Sequence, residues 1–285
     1  GMYGSGYSAF TPWAAMKRRV PALKAVATFS AIAPGISAPR LGNVYLNSAY
    51  RWARYVTGTD PASDAEYADL AHWDSLDQTW YRSGRRYQDL PRIDGAPSAV
   101  FSRWLAHPGY DRYWQAMIPY RQEFAHVQIP VLSITGYYDS NEPGELYYLL
   151  QHQHYDRQAD HTLLIGPYSD LAPHSPAAAL QPYPVDPAAL INVHELRYRW
   201  FDHIFKGSAL PPQLQGRINF EVAGANQWRH ATSIDAMADR PLRLYLDPLA
   251  SDLQPTAQNH TLATRKPARS AYLRQTVDFA DRSDA

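Results

Sequence analysis

The stretch GMYGSGYSAFTPWAAMKR, residues 1–18, decides the fold predicted for this chain. It reads as a short strand, a glycine-rich turn (GSG, 4–6) and a helix over 8–19. Pro12 falls in the first turn of that helix, where proline is tolerated. A sharp turn between a strand and a helix lifts its central residue above the sheet, so the central residue of this turn is a candidate catalytic residue.

The composition bounds the class of protein. The chain has 285 residues, 45% of them apolar, which is enough to bury a substantial core. Its 27 basic and 27 acidic residues balance, which argues against a nucleic-acid partner or an anionic membrane surface. There is no cysteine, so disulfides and thiol chemistry are excluded. No apolar run approaches the ~20 residues of a membrane helix.

Strands and helices alternate along the first two thirds of the chain. Short apolar runs at 24–33, 129–138 and 161–167 predict buried strands, and 142–153 and 188–206 predict helices. Such alternation is typical of a parallel sheet with helices on its faces.

Two other stretches have a different character. Residues 40–126 are rich in Trp, Tyr, Arg and Asp with helical spacing, and we interpret them as a mostly helical insertion. After Gly207 the runs 216–224 and 241–247 alternate apolar and polar residues in the manner of antiparallel strands. They predict the beginning of a second, all-β domain.

Six pieces of the chain carry a resemblance to a known family. They are GMYGSGYSAFTPWAA (1–15), WLAHPGYDRYW (104–114), IPVLSITGYYD (129–139), LLIGPYSD (163–170), RWFDHIFKG (199–207) and VAGANQWR (222–229). Together they resemble the CocE/NonD serine hydrolases, the group that includes cocaine esterase, α-amino-acid ester hydrolases, glutaryl-7-aminocephalosporanic-acid acylases and X-Pro dipeptidyl-peptidases of family S15. The pieces occur in the order of that family and cover nearly the whole chain.

The resemblance implies an α/β fold: a partial α/β-hydrolase parallel sheet with an inserted helical cap, followed by the start of a β jelly roll. We place the hydrolase core at 1–39 and 127–207, the cap at 40–126 and the partial β domain at 208–285. Family members carry strands before this strand-to-helix turn, so the resemblance implies that this chain is N-terminally truncated. An open sheet edge would remain, and we expect self-association through it.

The expected chemistry is acyl transfer to a serine, which needs a histidine base and an orienting carboxylate. The family pattern resembles G-x-S-Y-x-G, and with Tyr7 as the anchor the nucleophile position is Gly6. Asp139 ends the strand IPVLSITGYY and occupies the family's acid position. The histidine position, in a pattern such as GPW-x-H, falls on Asp170.

Two of the three triad positions therefore depart from the family, which predicts an inactive or impaired enzyme. Tyr7 would still offer its backbone N–H to an oxyanion. Two alternatives stay open. Either Ser5 or Ser8 acts as the nucleophile with His174 as the base, or the chain is a ligand-binding protein without catalysis. A structural explanation for Ser8 is a helix-start residue that bonds backbone N–H groups.

Other signals are weak. His152, His154 and His161 lack the spacing of a metal site, so no metal and no cofactor is expected. The ligand would be a small ester or amide or a short peptide, with no nucleic acid and no membrane as partner. Residues 1–25 show no signal peptide, and absence of cysteine suits the cytoplasm and the periplasm alike.

Overall fold

A computed structural model describes residues 1–58, 62–169, 178–180, 183–238, 240–250 and 260–268, together with 276, 278, 280 and 281. The strands are β1 (Met2–Ser5), β2 (Val26–Phe29), β3 (Arg40–Leu41), β4 (Val44–Tyr45), β5 (Val131–Gly136), β6 (His161–Gly166), β7 (Ala179–Leu180), β8 (Tyr183–Pro184), β9 (Ile218–Val222), β10 (Gln227–Ala231), β11 (Tyr245–Ala250) and β12 (His260–Ala263). The helices are α1 (Phe10–Lys17), α2 (Ala49–Thr57), α3 (Ala62–Ala68), α4 (Leu70–Ser83), α5 (Leu90–Ile93), α6 (Ala99–Leu105), α7 (Arg112–Gln115), α8 (Glu142–Tyr155) and α9 (Val193–Lys206).

The main sheet has the strand order β1-β2-β5-β6-β9-β10. Neighbouring strands from β1 to β9 pair in parallel, and β10 returns antiparallel to β9. Every residue of β2 and β5 is buried, as expected of strands covered on both faces. The predicted α/β class with a parallel sheet is confirmed.

Helices cover both faces of this sheet. The α1 and α8 helices lie on one face, where Trp13 stacks on Tyr148 with ring centroids 4.4 Å apart. The α9 helix lies on the other face, where Trp200 packs in a cluster with residues of β2, β5 and β6. Within the described residues, no helix has the length and apolarity needed to span a membrane.

Residues between β2 and β5 are largely helical. Six helices, α2 to α7, lie among the described residues of this stretch, and α2, α4, α5 and α6 share an apolar cluster that includes Tyr50, Trp73, Leu90 and Phe101. Tyr50 and Phe101 are fully buried and meet edge to face with centroids 5.2 Å apart. The cap boundaries at residues 40 and 126 stay a prediction.

The boundary predicted at residue 208 needs a correction. We expected β9 and β10 to belong to a separate β domain, but β9 pairs with β6 in the main sheet, with Ile218 opposite Leu163. The Asn219 amide strengthens this pairing by donating to the Leu163 carbonyl at 2.9 Å. Alternation along a short strand predicts which face is buried, and it does not predict the neighbouring strand. Among the described residues after 208, β11 and β12 form a two-stranded sheet separate from the main sheet, and the jelly roll stays a prediction.

Self-association remains our proposal for the open edge of the sheet. Strand β1 is the outermost strand, and its outer side has no paired strand among the described residues. Tyr3 of this strand is 53% exposed and lies against Tyr198, which is 54% exposed. An unpaired strand edge with exposed aromatic rings favours pairing with another chain.

We predict that Tyr3→Lys lowers the self-association of the chain, because a lysine on an edge strand disfavours edge-to-edge pairing. Sedimentation velocity over a wide concentration range measures it. Leu70→Lys is the matched control, since Leu70 is 59% exposed at the start of α4. A wild-type chain that stays monomeric at all concentrations would contradict the proposal.

Candidate functional site

The strand-to-helix turn after β1 is built on a close backbone approach. A Cβ at Gly4 would lie 2.5 Å from the Ser8 carbonyl oxygen and 2.8 Å from the Ala9 Cα. Both are backbone atoms, so they cannot move aside without displacing the helix. Glycine at position 4 therefore lets the chain turn from β1 directly into the helical residues Gly6–Ala9 and α1.

Gly6 is the apex of this turn. Its φ is +57°, a conformation that side chains rarely adopt and that is typical of a strained turn. A Cβ built at Gly6 would have no atom within 4 Å. The position predicted for the nucleophile thus has room for a side chain and carries none.

The two neighbouring serines are placed differently. The Ser8 hydroxyl accepts from the Ser5 backbone N–H at 3.0 Å and donates to the Ser5 carbonyl at 2.8 Å. It therefore fastens the start of the helix, as the structural explanation predicted. Ser5 is half-buried and directly precedes the apex. In this conformation the Ser8 hydroxyl donates its proton to a backbone carbonyl.

Asp139 lies in the turn that follows β5 and is 6% exposed. One carboxylate oxygen accepts from the Ser30 hydroxyl at 2.7 Å and from the Asn141 backbone N–H at 2.8 Å. The other accepts from the Thr135 hydroxyl at 2.8 Å. A buried carboxylate needs such donors, and these three fix its position at the carboxyl edge of the sheet.

Ser30 is a site residue that the sequence analysis missed. It directly follows β2, is fully buried and has a φ of +56°. Its backbone N–H donates to the Ile134 carbonyl at 2.9 Å, and the Asn141 amide donates to its hydroxyl at 3.2 Å. A polar residue immediately after the apolar run KAVATF was the available signal, because parallel strands end at one edge.

The third triad position is predicted at Asp170, with His174 as the alternative base. Asp170 and His174 lie outside the described residues. The chain leading to them crosses the end of β5, because a Cβ at Gly136 would lie 2.0 Å from the Tyr168 carbonyl oxygen. The Tyr138 N–H donates to that same oxygen at 3.2 Å. The segment that carries the predicted histidine position therefore starts beside the Asp139 turn.

Tyr7 connects the turn with the helical stretch. Its ring is 44% exposed and meets Phe10 and Trp52 edge to face, with centroids 5.0 and 5.2 Å away. Since Trp52 belongs to α2, the cap region approaches the turn at this point. The role of the Tyr7 backbone N–H as an oxyanion donor stays a prediction.

A series of buried hydrogen bonds supports the site from the interior of the protein. Glu145 of α8 is fully buried and accepts from the Ala31 N–H at 2.7 Å and from the Thr28 hydroxyl at 2.5 Å. Burial raises the pKa of Glu145 to about 7, against the lowering effect of these donors. Because Ala31 follows Ser30, Glu145 holds the turn that presents the Ser30 hydroxyl to Asp139.

Two histidines extend this series of hydrogen bonds away from the site. The Ser133 hydroxyl lies 2.9 Å from His161 Nε2, and the Nδ1 atoms of His161 and His152 are 3.1 Å apart. Burial lowers the pKa of both rings, so each is neutral near pH 7. In the part of the chain that the structure describes, no group of three or more His, Cys, Asp or Glu side chains is arranged to hold a metal ion.

The family model of the X-Pro dipeptidyl-peptidases (S15 family) matches residues 1–169, more than half of the chain. The chain belongs to this family. The resemblance expected from the sequence is confirmed. We found no match among curated proteins.

Solved structures share the fold. An aminopeptidase from a marine sediment archaeon (Thaumarchaeota archaeon) matches with a TM-score of 0.55 at 19% identity, over 80% of this chain and 38% of its own. An α-amino acid ester hydrolase matches with a TM-score of 0.57 at 18% identity, over 86% and 41%. A CocE/NonD family hydrolase from Staphylococcus aureus matches with a TM-score of 0.53 at 15% identity, over 92% of this chain and 38% of its own. This S15 chain therefore spans 38–41% of the length of these neighbours.

The contrast between the two glycines of the turn is testable by unfolding in denaturant. We expect Gly4→Ala to lower the free energy of unfolding by about 3 kcal/mol or more, because the added methyl group meets backbone atoms. Gly6→Ala adds the same group in open space and costs about 1–2 kcal/mol of backbone strain. Equal losses for the two variants would contradict this description of the turn.

Proposed function

We propose that this S15-family chain binds an acyl ligand at the carboxyl edge of its sheet and does not cleave it by the serine mechanism. The observation that carries the proposal is the residue at the apex of the turn. Gly6 has no side-chain atom that could be acylated, whereas acyl transfer of this class begins with attack by a serine oxygen.

The base position supports the same conclusion. By resemblance to the family, Asp170 stands where a histidine would accept the serine proton. A carboxylate there cannot pair productively with the carboxylate of Asp139, because like charges repel. The proton relay would then lack both its donor and its base, and loss of triad members costs several orders of magnitude in rate.

The structure around Ser8 does not favour this residue as a substitute nucleophile. Its hydroxyl proton is directed to the Ser5 carbonyl, and its position two residues past the apex makes it part of the helix start. Activity through Ser8 with His174 would require this hydrogen bond to break, and Ser5 directly precedes the apex. We therefore treat that alternative as an outcome of the experiment below.

A chain can keep a ligand-binding site after it has lost the residues of a catalytic triad. Asp139 is held by three donors, and the aromatic cluster of Tyr7 and Trp52 lies beside the turn. The family and two structural neighbours are named for X-Pro peptides, amino-terminal peptide bonds and α-amino-acid esters. These share an α-aminoacyl group next to an ester or amide bond, which is the ligand class we propose.

A fluorophosphonate probe tests the missing nucleophile. We expect no covalent adduct on the wild-type chain by intact-mass spectrometry. The Gly6→Ser/Asp170→His variant should gain one adduct, mapped to residue 6, because the apex has room for a side chain. Adding Asp139→Asn to that variant should slow the labelling about 10⁴-fold.

A stoichiometric adduct on Ser5 or Ser8 of the folded wild-type chain would contradict the proposal and favour an active enzyme. Binding is measured separately by calorimetry with an X-Pro dipeptide and an α-amino-acid methyl ester, with product analysis after the titration. Heat of binding without hydrolysis supports the ligand class. Hydrolysis that disappears on Ser8→Ala or Ser5→Ala would overturn the proposal and favour that serine as the nucleophile.

A further inference from the structure

A buried carboxyl pair lies at the same edge of the sheet, outside the residues discussed so far. Glu221 of β9 is 1% exposed, and among the described residues neither of its carboxyl oxygens has a donor within hydrogen-bond distance. The Gln227 backbone N–H lowers the pKa of Glu221, but less than burial and Asp186 raise it. Asp186, which follows β8, acts on it from the adjacent segment. An ionised carboxylate buried without donors is costly, and a second carboxylate nearby adds to that cost.

Asp186 holds the segment 183–191, which we call the strap, on the turn between β9 and β10. Its Oδ2 accepts from the backbone N–H groups of Gly224 at 2.6 Å and Asn226 at 3.1 Å. The same turn holds the strap at a second point, because the Asn226 side-chain oxygen accepts from the Ala188 N–H at 2.7 Å.

Further contacts place the strap beside the candidate site. The Trp228 indole N–H donates to the Ala188 carbonyl at 2.8 Å, and the Tyr168 hydroxyl donates to the Ala189 carbonyl at 3.0 Å. The Tyr183 ring stacks on Tyr138, the residue that precedes Asp139, with centroids 6.2 Å apart. Release of the strap would therefore change the surroundings of the Asp139 turn.

The groups that face Glu221 leave its charge uncompensated. Tyr137 after β5, Tyr168 after β6 and Tyr183 in β8 are the titratable neighbours besides Asp186. The Tyr137 hydroxyl donates to the Glu221 backbone carbonyl at 2.7 Å, so it is not available to the carboxylate. None of the described groups that act on Glu221 is basic.

We propose that Glu221 and Asp186 form a pH-sensitive contact that holds the strap only while Glu221 carries a proton. With Glu221 protonated, the pair bears one negative charge, and Asp186 keeps its bonds to Gly224 and Asn226. When the proton leaves to solvent, two negative charges face each other in a buried place. The strap then separates from the β9–β10 turn, which returns both carboxylates to water.

The direction in which pH changes the docking of the strap follows from the raised pKa of Glu221. Burial, and after it Asp186, raises the pKa of Glu221 to about 7 in the docked state, whereas a solvated glutamate titrates at about 4.3. The docked state therefore binds the proton more tightly. The stability that this proton gives the docked state over the released state is complete below about pH 4. It is lost as pH rises toward 7 and changes no further above pH 7. Between about pH 5 and 7 the population of the released strap rises up to about tenfold per unit.

Amide hydrogen exchange measured by mass spectrometry on the full chain reports this directly. The relevant peptides cover residues 183–191 and 223–227, which contain the Ala188, Gly224 and Asn226 amides. After correction for the intrinsic pH dependence of exchange, their protection should fall about tenfold or more from pH 5.5 to 7 and then level off. This readout is independent of ligand binding and of the proposed function.

Three variants separate the pair from other causes. Glu221→Gln stays neutral, so the protection of these peptides should become independent of pH. Asp186→Asn removes the repelling charge, so the fall in protection should become shallower. Asp77→Asn is the matched control, because burial also raises the pKa of Asp77 but this residue lies in α4, away from the strap; it should leave the wild-type profile unchanged in these peptides.

A flat wild-type profile would overturn the proposal, and so would a Glu221→Gln profile as steep as that of the wild type. If Glu221→Gln does not fold, as judged by circular dichroism, Asp186→Asn decides. An unchanged slope in that variant would mean that the carboxyl pair does not control the strap.

Discussion

Parallel hydrogen bonding is the constraint on which the rest of the molecule depends. Because β1, β2, β5, β6 and β9 pair side by side in one direction, their carboxyl ends meet at a single edge. Residues far apart in the chain, such as Gly6, Ser30 and Asp139, are brought to that edge by register alone. The site and the carboxyl pair of the strap are both consequences of this arrangement.

The edge is supported by polar groups in an otherwise apolar interior. Asp139 joins the end of β2 to the turn after β5 through Ser30, and Glu145 joins the same end of β2 to α8 through Ala31. In a low-dielectric interior such bonds are strong and an unpaired group is costly. The positions of these residues are therefore closely determined, whether or not a reaction takes place there.

In the turn after β1, the residue that the backbone conformation requires is different from the residue at the predicted nucleophile position. Gly4 is required by the backbone, because any side chain there would strike the Ser8 carbonyl. Gly6 is not required in this sense, since its side-chain direction is open. A family member can thus keep the shape of the turn while its apex residue changes, and the fold places little restriction on that change.

The sequence by itself determined the elements and the class of the fold. Apolar runs and helical spacing predicted β2, β5, β6, α8 and α9, because burial on one face or both imposes a period on the residues. The motif order also predicted the family and the positions of Gly6 and Asp139. The serine and glycine order of the turn needed no coordinates.

Only the tertiary structure decided which elements meet. It assigned β9 to the main sheet, since strand pairing depends on neighbours distant in the chain, which a local pattern does not encode. It likewise showed that the Ser8 hydroxyl bonds the Ser5 backbone at the start of a helix, and that Ser30 holds Asp139. It also showed that Glu221 is buried with no donor within hydrogen-bond distance among the described residues. Burial and hydrogen bonding of these groups are set by contacts across the chain, and residue type alone does not specify them.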